Sequence, residues 1–208
     1  MARTRSSKAW LAEHFNDPYV KRAQQEGFRS RAVYKIEEID RRDHLLRPGM
    51  VVVDLGAAPG GWSQYAVRRA GASGLVVALD ILPMEAIPGV EILEGDFTEG
   101  AVVDRLFGRL EGRPVDLVIS DMAPNISGID SADQARAMYL AELALDFAIQ
   151  VLRNGGDFLV KVFQGGGYQE FYRTMRGRFD RVVARKPRAS RSRSREIYLV
   201  GKGFRPGA

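Results

Sequence analysis

The chain has 208 residues, 45% of them hydrophobic, and a formal net charge of +5, which predicts one globular domain with a substantial core. The lack of cysteine excludes disulfides, thiolate metal sites and cysteine nucleophiles, and two histidines, His14 and His44, are too few for a histidine-rich metal site. No apolar run approaches the roughly 20 residues of a membrane helix, and the basic start leads into no apolar signal segment, so we expect a cytoplasmic protein.

Apolar runs alternate with helical stripes along the chain, which predicts an α/β fold with a doubly wound, parallel sheet. We interpret 1–29 as a basic N-terminal extension, irregular or partly helical, and 30–208 as a single domain. Strands are predicted at 51–56, 74–81, 90–96, 115–124, 157–164, 179–186 and 195–204. Helices are predicted at 30–46 with Ser30 as cap, 62–70, 99–110, 131–153 with 154–156 ending it, and 168–178. No helix separates the last two strands, which predicts an antiparallel pair at one edge.

Charge is distributed unevenly along the chain. Residues 1–34 carry seven basic and three acidic side chains, and residues 181–208 carry nine basic and one acidic, whereas residues 35–180 carry 15 basic and 22 acidic. Basic ends of this kind fit a polyanion such as nucleic acid, and the arginine- and serine-rich run at 185–195 suits phosphate contact. The alternative is that the ends are simply solvated.

A glycine-rich loop follows the first strand. The segment VVVDLGAAPGGW, residues 51–62, contains Gly56, Gly60 and Gly61 between a strand and a helix. Its spacing matches neither the dinucleotide nor the phosphate-binding glycine motif. Asp54 stands just before the turn, where it disfavours a phosphate and suits a ligand that carries an amine or sulfonium. A turn that serves only chain reversal is the alternative.

Four acidic residues, Asp54, Asp80, Asp96 and Asp121, lie at the ends of four successive predicted strands. Asp80 comes about 20 residues after the glycines, where an acid accepts hydrogen bonds from the ribose of a nucleoside cofactor. Asp96 is placed to accept from an adenine amino group. We expect one pocket to collect these acids, and we favour S-adenosylmethionine over NAD as its ligand.

Lys161 interrupts the apolar strand within DFLVKVFQGGG, residues 157–167. An unpaired ammonium is costly to bury, so it requires a partner. The candidates are Asp121 on the neighbouring strand, Lys35 on the first helix and Glu196, the acid of the basic C-terminal segment. The alternative is a lysine on an edge strand that extends to solvent.

Five segments, in order along nearly the whole chain, resemble the FtsJ/RrmJ family of ribose 2′-O-methyltransferases. They are SRAVYK (30–35), DLGAAPGGW (54–62), SDMAP (120–124), LVKVFQG (159–165) and SREIYLVGKGF (194–204). The resemblance implies a Rossmann-like methyltransferase fold, with a seven-stranded, mostly parallel sheet and helices on both faces.

The resemblance also implies the site and the substrate. It places Lys35, Asp121, Lys161 and Glu196 in a catalytic tetrad, with Lys161 as general base or as positioning group. It places S-adenosyl-L-methionine against Gly60, Trp62, Asp80, Asp96 and Asp121, with Asp54 and Gly56 nearby, and implies no metal. The implied substrate is a uridine ribose of 23S ribosomal RNA, on the assembled 50S subunit, modified by a monomer that binds neither DNA nor membrane.

Three alternatives remain at this stage. A transfer RNA ribose methyltransferase would share the chemistry and differ in substrate. A non-catalytic RNA-binding protein would keep the fold without needing the acids at the strand ends. An NAD-linked reductase is disfavoured by the spacing of the glycine loop.

Overall fold

The computed structural model describes residues 17–125, 127–191 and 194–207. Within them the helices are α1 (Pro18–Gln25), α2 (Val33–Asp43), α3 (Gly61–Ala70), α4 (Gly100–Leu110), α5 (Asp130–Val151) and α6 (Tyr168–Arg178). The strands are β1 (Val51–Leu55), β2 (Leu75–Asp80), β3 (Val90–Glu94), β4 (Val115–Ser120), β5 (Leu152–Phe163), β6 (Phe179–Arg185) and β7 (Glu196–Phe204). None of these helices is both long and apolar enough to cross a membrane.

These strands form one seven-stranded sheet in the order β3-β2-β1-β4-β5-β7-β6. Strands β1 to β5 run parallel, whereas β7 runs antiparallel to both β5 and β6. The predicted α/β fold, with a mostly parallel sheet and an antiparallel pair at one edge, is confirmed. The strand order reverses between β1 and β4, and doubly wound sheets bind ligands outside the carboxyl ends of their strands at such a point.

Helices cover both faces of the sheet because its central strands are buried on both sides. Val52 and Val53 of β1 point to opposite faces, and neither has exposed surface. Val52 belongs to a cluster with Ile36 of α2 and Trp62 of α3. Val53 belongs to a larger cluster that includes Phe147 of α5. Strands buried on both faces are apolar at every position, which is why they are readable in the sequence.

The first predicted helix, 30–46 with Ser30 as its cap, is shorter in the structure. Helix α2 begins without a side-chain cap, and the Ser30 hydroxyl accepts a hydrogen bond from the backbone N–H of Ala32 at 3.1 Å within the preceding turn. The helix ends where His44 adopts a left-handed backbone with φ 52°. The Asp40 carboxylate then accepts from the next two backbone N–H groups at 2.9 and 2.8 Å, which fixes the exit of the chain.

The long helix predicted over 131–153 also ends earlier than expected. Helix α5 gives way directly to β5, so residues 154–156, predicted to end the helix, lie inside a strand. The register between β4 and β5 shifts between Val115 and Leu117, and Gly155 adopts φ +76° there. Pairing with β4 extends β5 toward its N-terminus and includes these glycines. They therefore lie at an irregularity within the strand and do not end the helix.

Part of the predicted N-terminal extension packs on the domain. Residues 1–16 lie outside the described residues. Helix α1 follows them, and its Ala23 contacts Val33 and Tyr34 of α2 in a small buried cluster. This segment therefore packs against the helix that carries Lys35.

Candidate active site

Lys161 is a buried lysine with two oxygen partners. It lies near the carboxyl end of β5 and is 9% exposed. Its Nζ donates a hydrogen bond to the backbone oxygen of Asp121 at 2.6 Å and lies 3.0 Å from Oδ1 of the same residue. The alternative of an edge-strand lysine is wrong, because β5 lies between β4 and β7. Pairing offsets the cost of burying the ammonium.

Lys35 and Glu196 form a second ion pair at the same end of the sheet. Nζ of Lys35 lies 2.7 Å from Oε1 of Glu196, and each side chain is 13% exposed. Glu196 opens β7, and since β7 is antiparallel to β5, its first residue pairs with Phe163 at the end of β5. The sheet order therefore brings together the four residues that the family resemblance implies as a tetrad.

Tyr198 joins the two ion pairs, and sequence reasoning missed it. Its hydroxyl donates to Oδ1 of Asp121 at 2.9 Å and accepts from Nζ of Lys35 at 3.0 Å. Tyr198 stands opposite Lys161 in the register of β5 and β7, so both side chains are on one face. The signal for it was strand alternation, which places Tyr198 on the same face as Glu196.

Opposite charges set the ionisation of the two carboxylates. Burial acts to raise the pKa of Asp121, but the positive charges of Lys161 and Lys35 and the hydrogen bonds from Lys161 and Tyr198 hold that pKa below its usual value. Burial likewise opposes ionisation of Glu196, and Lys35 holds its pKa below the usual value. Burial and the charges of Asp121 and Glu196 raise the pKa of Tyr198, so the phenol stays protonated. The cluster thus has two ionised carboxylates, each paired with a lysine, and a neutral phenol links the two ion pairs.

Asp80 connects the loops that follow the first two strands. The last residue of β2, it accepts through Oδ2 from the N–H of Ala58 at 2.8 Å and through Oδ1 from the N–H of Leu82 at 2.8 Å. These bonds fix the carboxylate beside the glycine loop. Each oxygen keeps a lone pair for a further donor.

Asp54 differs from the other predicted acids because it has no exposed surface. Oδ2 accepts from the Ser63 hydroxyl at 2.6 Å, whereas Oδ1 has no partner among the described residues. Burial raises the pKa of Asp54 to about 7 against the hydrogen bond from Ser63, and the charges of Asp121 and Asp80 add to the increase. Asp54 therefore lies beneath the crevice that is expected at the carboxyl ends of the parallel strands, and not on its surface.

Asp96 follows β3 on the surface. Its Oδ1 accepts from the backbone N–H and the hydroxyl of Thr98, at 2.9 and 2.8 Å. These bonds hold the pKa of Asp96 below its usual value. Asp96 is thus ionised and held in one orientation as a hydrogen-bond acceptor. It follows β3, the outermost strand, at the same carboxyl edge of the sheet as Asp80.

The glycine loop requires glycine at two positions for identifiable reasons. Gly56 has φ +73°, and a Cβ there would lie 2.8 Å from backbone atoms of Met122. Gly60 has φ +106°, and a Cβ there would lie 2.6 Å from the Ile87 side chain. Trp62 is 3% exposed, and its indole N–H donates to the backbone oxygen of Ala32 at 2.8 Å. The two glycines therefore let Met122 and Ile87 pack directly against the loop backbone, while Trp62 holds the following helix against α2.

A basic cavity of about 530 Å³ adjoins the Lys35–Glu196 pair. Its lining residues are Arg31, Ala32, Lys35, Ala189, Arg191, Ser194 and Glu196. The arginine- and serine-rich run 185–195 thus supplies one wall, although residues 192 and 193 lie outside the described residues. Arg31 is also bound to Asp17 and to the backbone oxygen of Ala189, which ties the cavity to the N-terminal segment.

Comparison with known families and proteins gives one consistent result. The family described as FtsJ-like methyltransferase matches residues 28–204. The chain is 60% identical over 205 residues to "Ribosomal RNA large subunit methyltransferase E" of Marinobacter nauticus, covering 99% of both chains. The protein of that name from Alkalilimnicola ehrlichii is 61% identical over 198 residues, covering 95% of both chains.

Solved structures agree with the fold. A crystal structure described as a ribosomal RNA methyltransferase from Plasmodium falciparum superposes with a TM-score of 0.77 at 28% identity, covering 85% of this chain and 98% of that chain. One from Clostridium thermocellum has a TM-score of 0.58 at 18% identity, covers 82% of this chain and 97% of that chain, and supports the fold alone.

Proposed function

The chain belongs to the FtsJ-like methyltransferase family, and we propose that it transfers a methyl group from S-adenosylmethionine to a ribose 2′-hydroxyl of large-subunit ribosomal RNA. Relatives that share about 60% identity over 99% of both chains carry the name of a large-subunit ribosomal RNA methyltransferase. In finer terms, we propose a uridine of 23S ribosomal RNA in the assembled 50S subunit as the target, and a cytoplasmic monomer as the enzyme.

The observation that carries the proposal is the polar chain Lys161–Asp121–Tyr198–Lys35–Glu196. Successive members lie within 3.0 Å of one another. It stands at the carboxyl ends of the strands, between the glycine loop and the basic cavity. The cavity adjoins the Lys35–Glu196 end of this chain, so it would hold the RNA, and the ribose hydroxyl would have to reach Lys161 at the other end.

In this proposal Lys161 orients the attacking oxygen. An ammonium has three N–H donors; the backbone oxygen and Oδ1 of Asp121 accept from two of them, which leaves the third for the 2′-oxygen. A bound S-adenosylmethionine would supply a sulfonium methyl for this oxygen; its C–S bond would break as the C–O bond forms, and the hydroxyl proton would leave to solvent. Orientation of this kind accounts for much of the rate when the reacting atoms are held in line.

The acids at the strand ends fit a cationic cofactor. Asp80 and Asp121 lie close enough to Asp54 to raise its pKa, so their carboxylates contribute negative charge to the crevice, which suits a sulfonium and an ammonium. We propose that Asp80 accepts from the ribose hydroxyls and Asp96 from the adenine amino group of the cofactor. The backbone at Gly60 would pass beside the remainder of the ligand.

In this proposal the other predicted cofactor residues shape and support the glycine loop. Gly56 permits the close approach of the loop to Met122. Trp62 and Asp54 are buried and support the loop and α3 from below. Asp121 contributes to both the cofactor crevice and the tetrad.

A methyl-transfer assay with labelled S-adenosylmethionine tests the function. The substrates are 50S subunits that lack the modification, naked ribosomal RNA and bulk transfer RNA. We expect label in 2′-O-methyluridine of the subunit, and none with Lys161→Ala, which should still bind the cofactor. Arg109→Ala, at an exposed arginine of α4 outside both basic ends of the chain, serves as the control with normal transfer.

Other outcomes would replace the proposal in defined ways. Label confined to transfer RNA would keep the chemistry and overturn the substrate. RNA binding without cofactor binding or transfer would favour the non-catalytic protein. Equal loss of transfer and of cofactor binding in Lys161→Ala would make Lys161 a structural residue.

A further inference from the structure

We propose that Arg29 is a positioning residue for the cofactor, because it ties together the two loops that frame the proposed S-adenosylmethionine site. This inference rests on the proposed function. Arg29 lies between α1 and α2, outside the predicted tetrad and outside the predicted cofactor residues.

The guanidinium of Arg29 spans both loops. Its Nη1 donates to the backbone oxygens of Pro59 at 3.3 Å and Glu85 at 2.8 Å, and its Nη2 donates to that of Ala86 at 2.8 Å. Its own backbone N–H donates to Oε1 of Gln64 at 2.8 Å, which anchors it to α3. One residue thus joins the loop after β1 and the loop after β2 through its side chain, and the helix between them through its backbone.

Both loops leave the carboxyl ends of neighbouring parallel strands. Residues 56–60 join β1 to α3, and residues 81–89 join β2 to β3. The inner side of this pair is fixed by Asp80, which accepts from the N–H of Ala58 at 2.8 Å. Arg29 makes the corresponding connection on the outer side, so the gap between the loops is fixed from both sides.

Gly60 gives independent support for this arrangement. A Cβ at Gly60 would lie 3.2 Å from Nη1 of Arg29, 3.4 Å from its Cδ and 2.6 Å from Cδ1 of Ile87. The absence of a side chain therefore lets Arg29 and Ile87 pack directly on the tip of the glycine loop. Gly60, which is predicted to approach the cofactor, is thus packed directly against Arg29.

The loop after β2 has little else to hold it. Ile81 and Leu82 are 61% and 60% exposed, and the Glu85 side chain is 96% exposed. Ile87 is the buried residue within 81–89. A segment with few buried contacts opens readily, so the hydrogen bonds from Arg29 contribute a large part of its order.

Lysine could not replace this arginine. A guanidinium directs several N–H donors from a planar fork, whereas an ammonium is a single point at the end of a flexible stem. The acceptors of Arg29 belong to separate loops, so the fork is needed to reach them together. The effect of Arg29 on catalysis should therefore depend on the geometry of its hydrogen bonds as well as on its charge.

The test compares Arg29→Ala and Arg29→Lys with Arg42→Ala, at an exposed arginine of α2. The dissociation constant for S-adenosylmethionine is measured by calorimetry without RNA, and RNA affinity by filter binding. We expect both Arg29 variants to bind the cofactor about tenfold more weakly than wild type. A change in affinity of this size corresponds to the loss of one or two hydrogen bonds. The KM for the cofactor should rise, and kcat at saturating cofactor should stay within about twofold of wild type.

Hydrogen exchange gives a second readout that does not need the ligand. Amides in 56–60 and 81–89 should exchange faster in Arg29→Lys than in wild type, with the rest of the sheet unchanged. This variant keeps the charge and serves if Arg29→Ala fails to fold. Unchanged cofactor affinity with reduced RNA affinity would overturn the inference and make Arg29 a phosphate contact. A wild-type protein that binds no S-adenosylmethionine would overturn the proposed function, and this inference with it.

Discussion

The hydroxyl of Tyr198 donates a hydrogen bond to Oδ1 of Asp121 across 2.9 Å, between residues 77 positions apart in the chain. The same hydroxyl accepts from Nζ of Lys35 at 3.0 Å. The proposed catalytic groups therefore form one connected chain instead of two separate ion pairs. Buried networks of this kind hold their members in one geometry when every donor has an acceptor.

Tyr198→Phe should lower kcat about tenfold, the order of one net hydrogen bond, because Asp121 loses a donor that orients it toward Lys161. Cofactor affinity should remain within about twofold of wild type. Steady-state methyl transfer with saturating substrates measures the effect. Tyr172→Phe is the control, since its hydroxyl bonds the backbone of Val182 at 3.4 Å, away from the site. An unchanged kcat in Tyr198→Phe would show that the bridge is dispensable.

Asp54→Asn should change how stability depends on pH. The pKa of Asp54 rises to about 7 in the folded protein from an ordinary 3.8. Between those values the folded state holds a proton that the unfolded state releases, so stability falls as pH rises through this window and levels above about pH 7. Asparagine resembles the protonated acid, so the Asp54→Asn variant should not lose stability in this way. The loss in the wild-type protein is at most about 1.4 kcal/mol per pH unit.

Urea unfolding at several pH values between about 5 and 8 measures this effect. The stability of Asp54→Asn relative to wild type should increase with pH up to about 7 and then stay level. Asp146→Asn, on the exposed side of α5, should show no such trend. A constant difference between Asp54→Asn and wild type across the range would mean that Asp54 is ionised throughout.

Gly56→Ala should disturb the loop between β1 and α3. Alanine at φ +73° costs about 1–2 kcal/mol, and its Cβ would lie 2.8 Å from backbone atoms of Met122. The thermal midpoint and the affinity for S-adenosylmethionine should both fall. Gly108→Ala, within α4 and with no atom within 4 Å of the added Cβ, should leave both intact. Normal cofactor binding by Gly56→Ala would argue against a ligand at this loop.

Phe147→Ala should destabilise the fold by about 3–5 kcal/mol, because it removes a large side chain from a packed core. Phe147 is 2% exposed, and its ring centroid lies 5.7 Å from that of Phe97 and 5.5 Å from that of Phe107. Chemical denaturation measures the loss. Tyr139→Ala on the same helix, where the residue is 52% exposed, should cost less than about 0.5 kcal/mol. Similar losses in the two variants would contradict this assignment of the core.

The predicted family and fold are confirmed, and the roles of the site residues stay predictions. Element boundaries were less certain where two signals competed. Residues 154–156 look like a helix stop, yet pairing with β4 draws them into β5. Ser30 looks like a helix cap, yet its hydroxyl bonds in the turn before α2. At 154–156 a pairing distant in sequence outweighed the local preference, whereas at Ser30 one local hydrogen bond replaced another.

The sequence by itself determined the alternation of strands and helices, the acids that follow the strands, and the lysine that needed a partner in β5. These features are local, because a strand buried on both faces is apolar throughout and its end is marked by polar residues. The tertiary structure decided which charges meet. Placing β7 beside β5 brings Tyr198 opposite Lys161, burial raises the pKa of Asp54, and folding of the N-terminal segment sets Arg29 between two loops. Such pairings depend on the order of strands and the packing of distant segments, which no local pattern specifies.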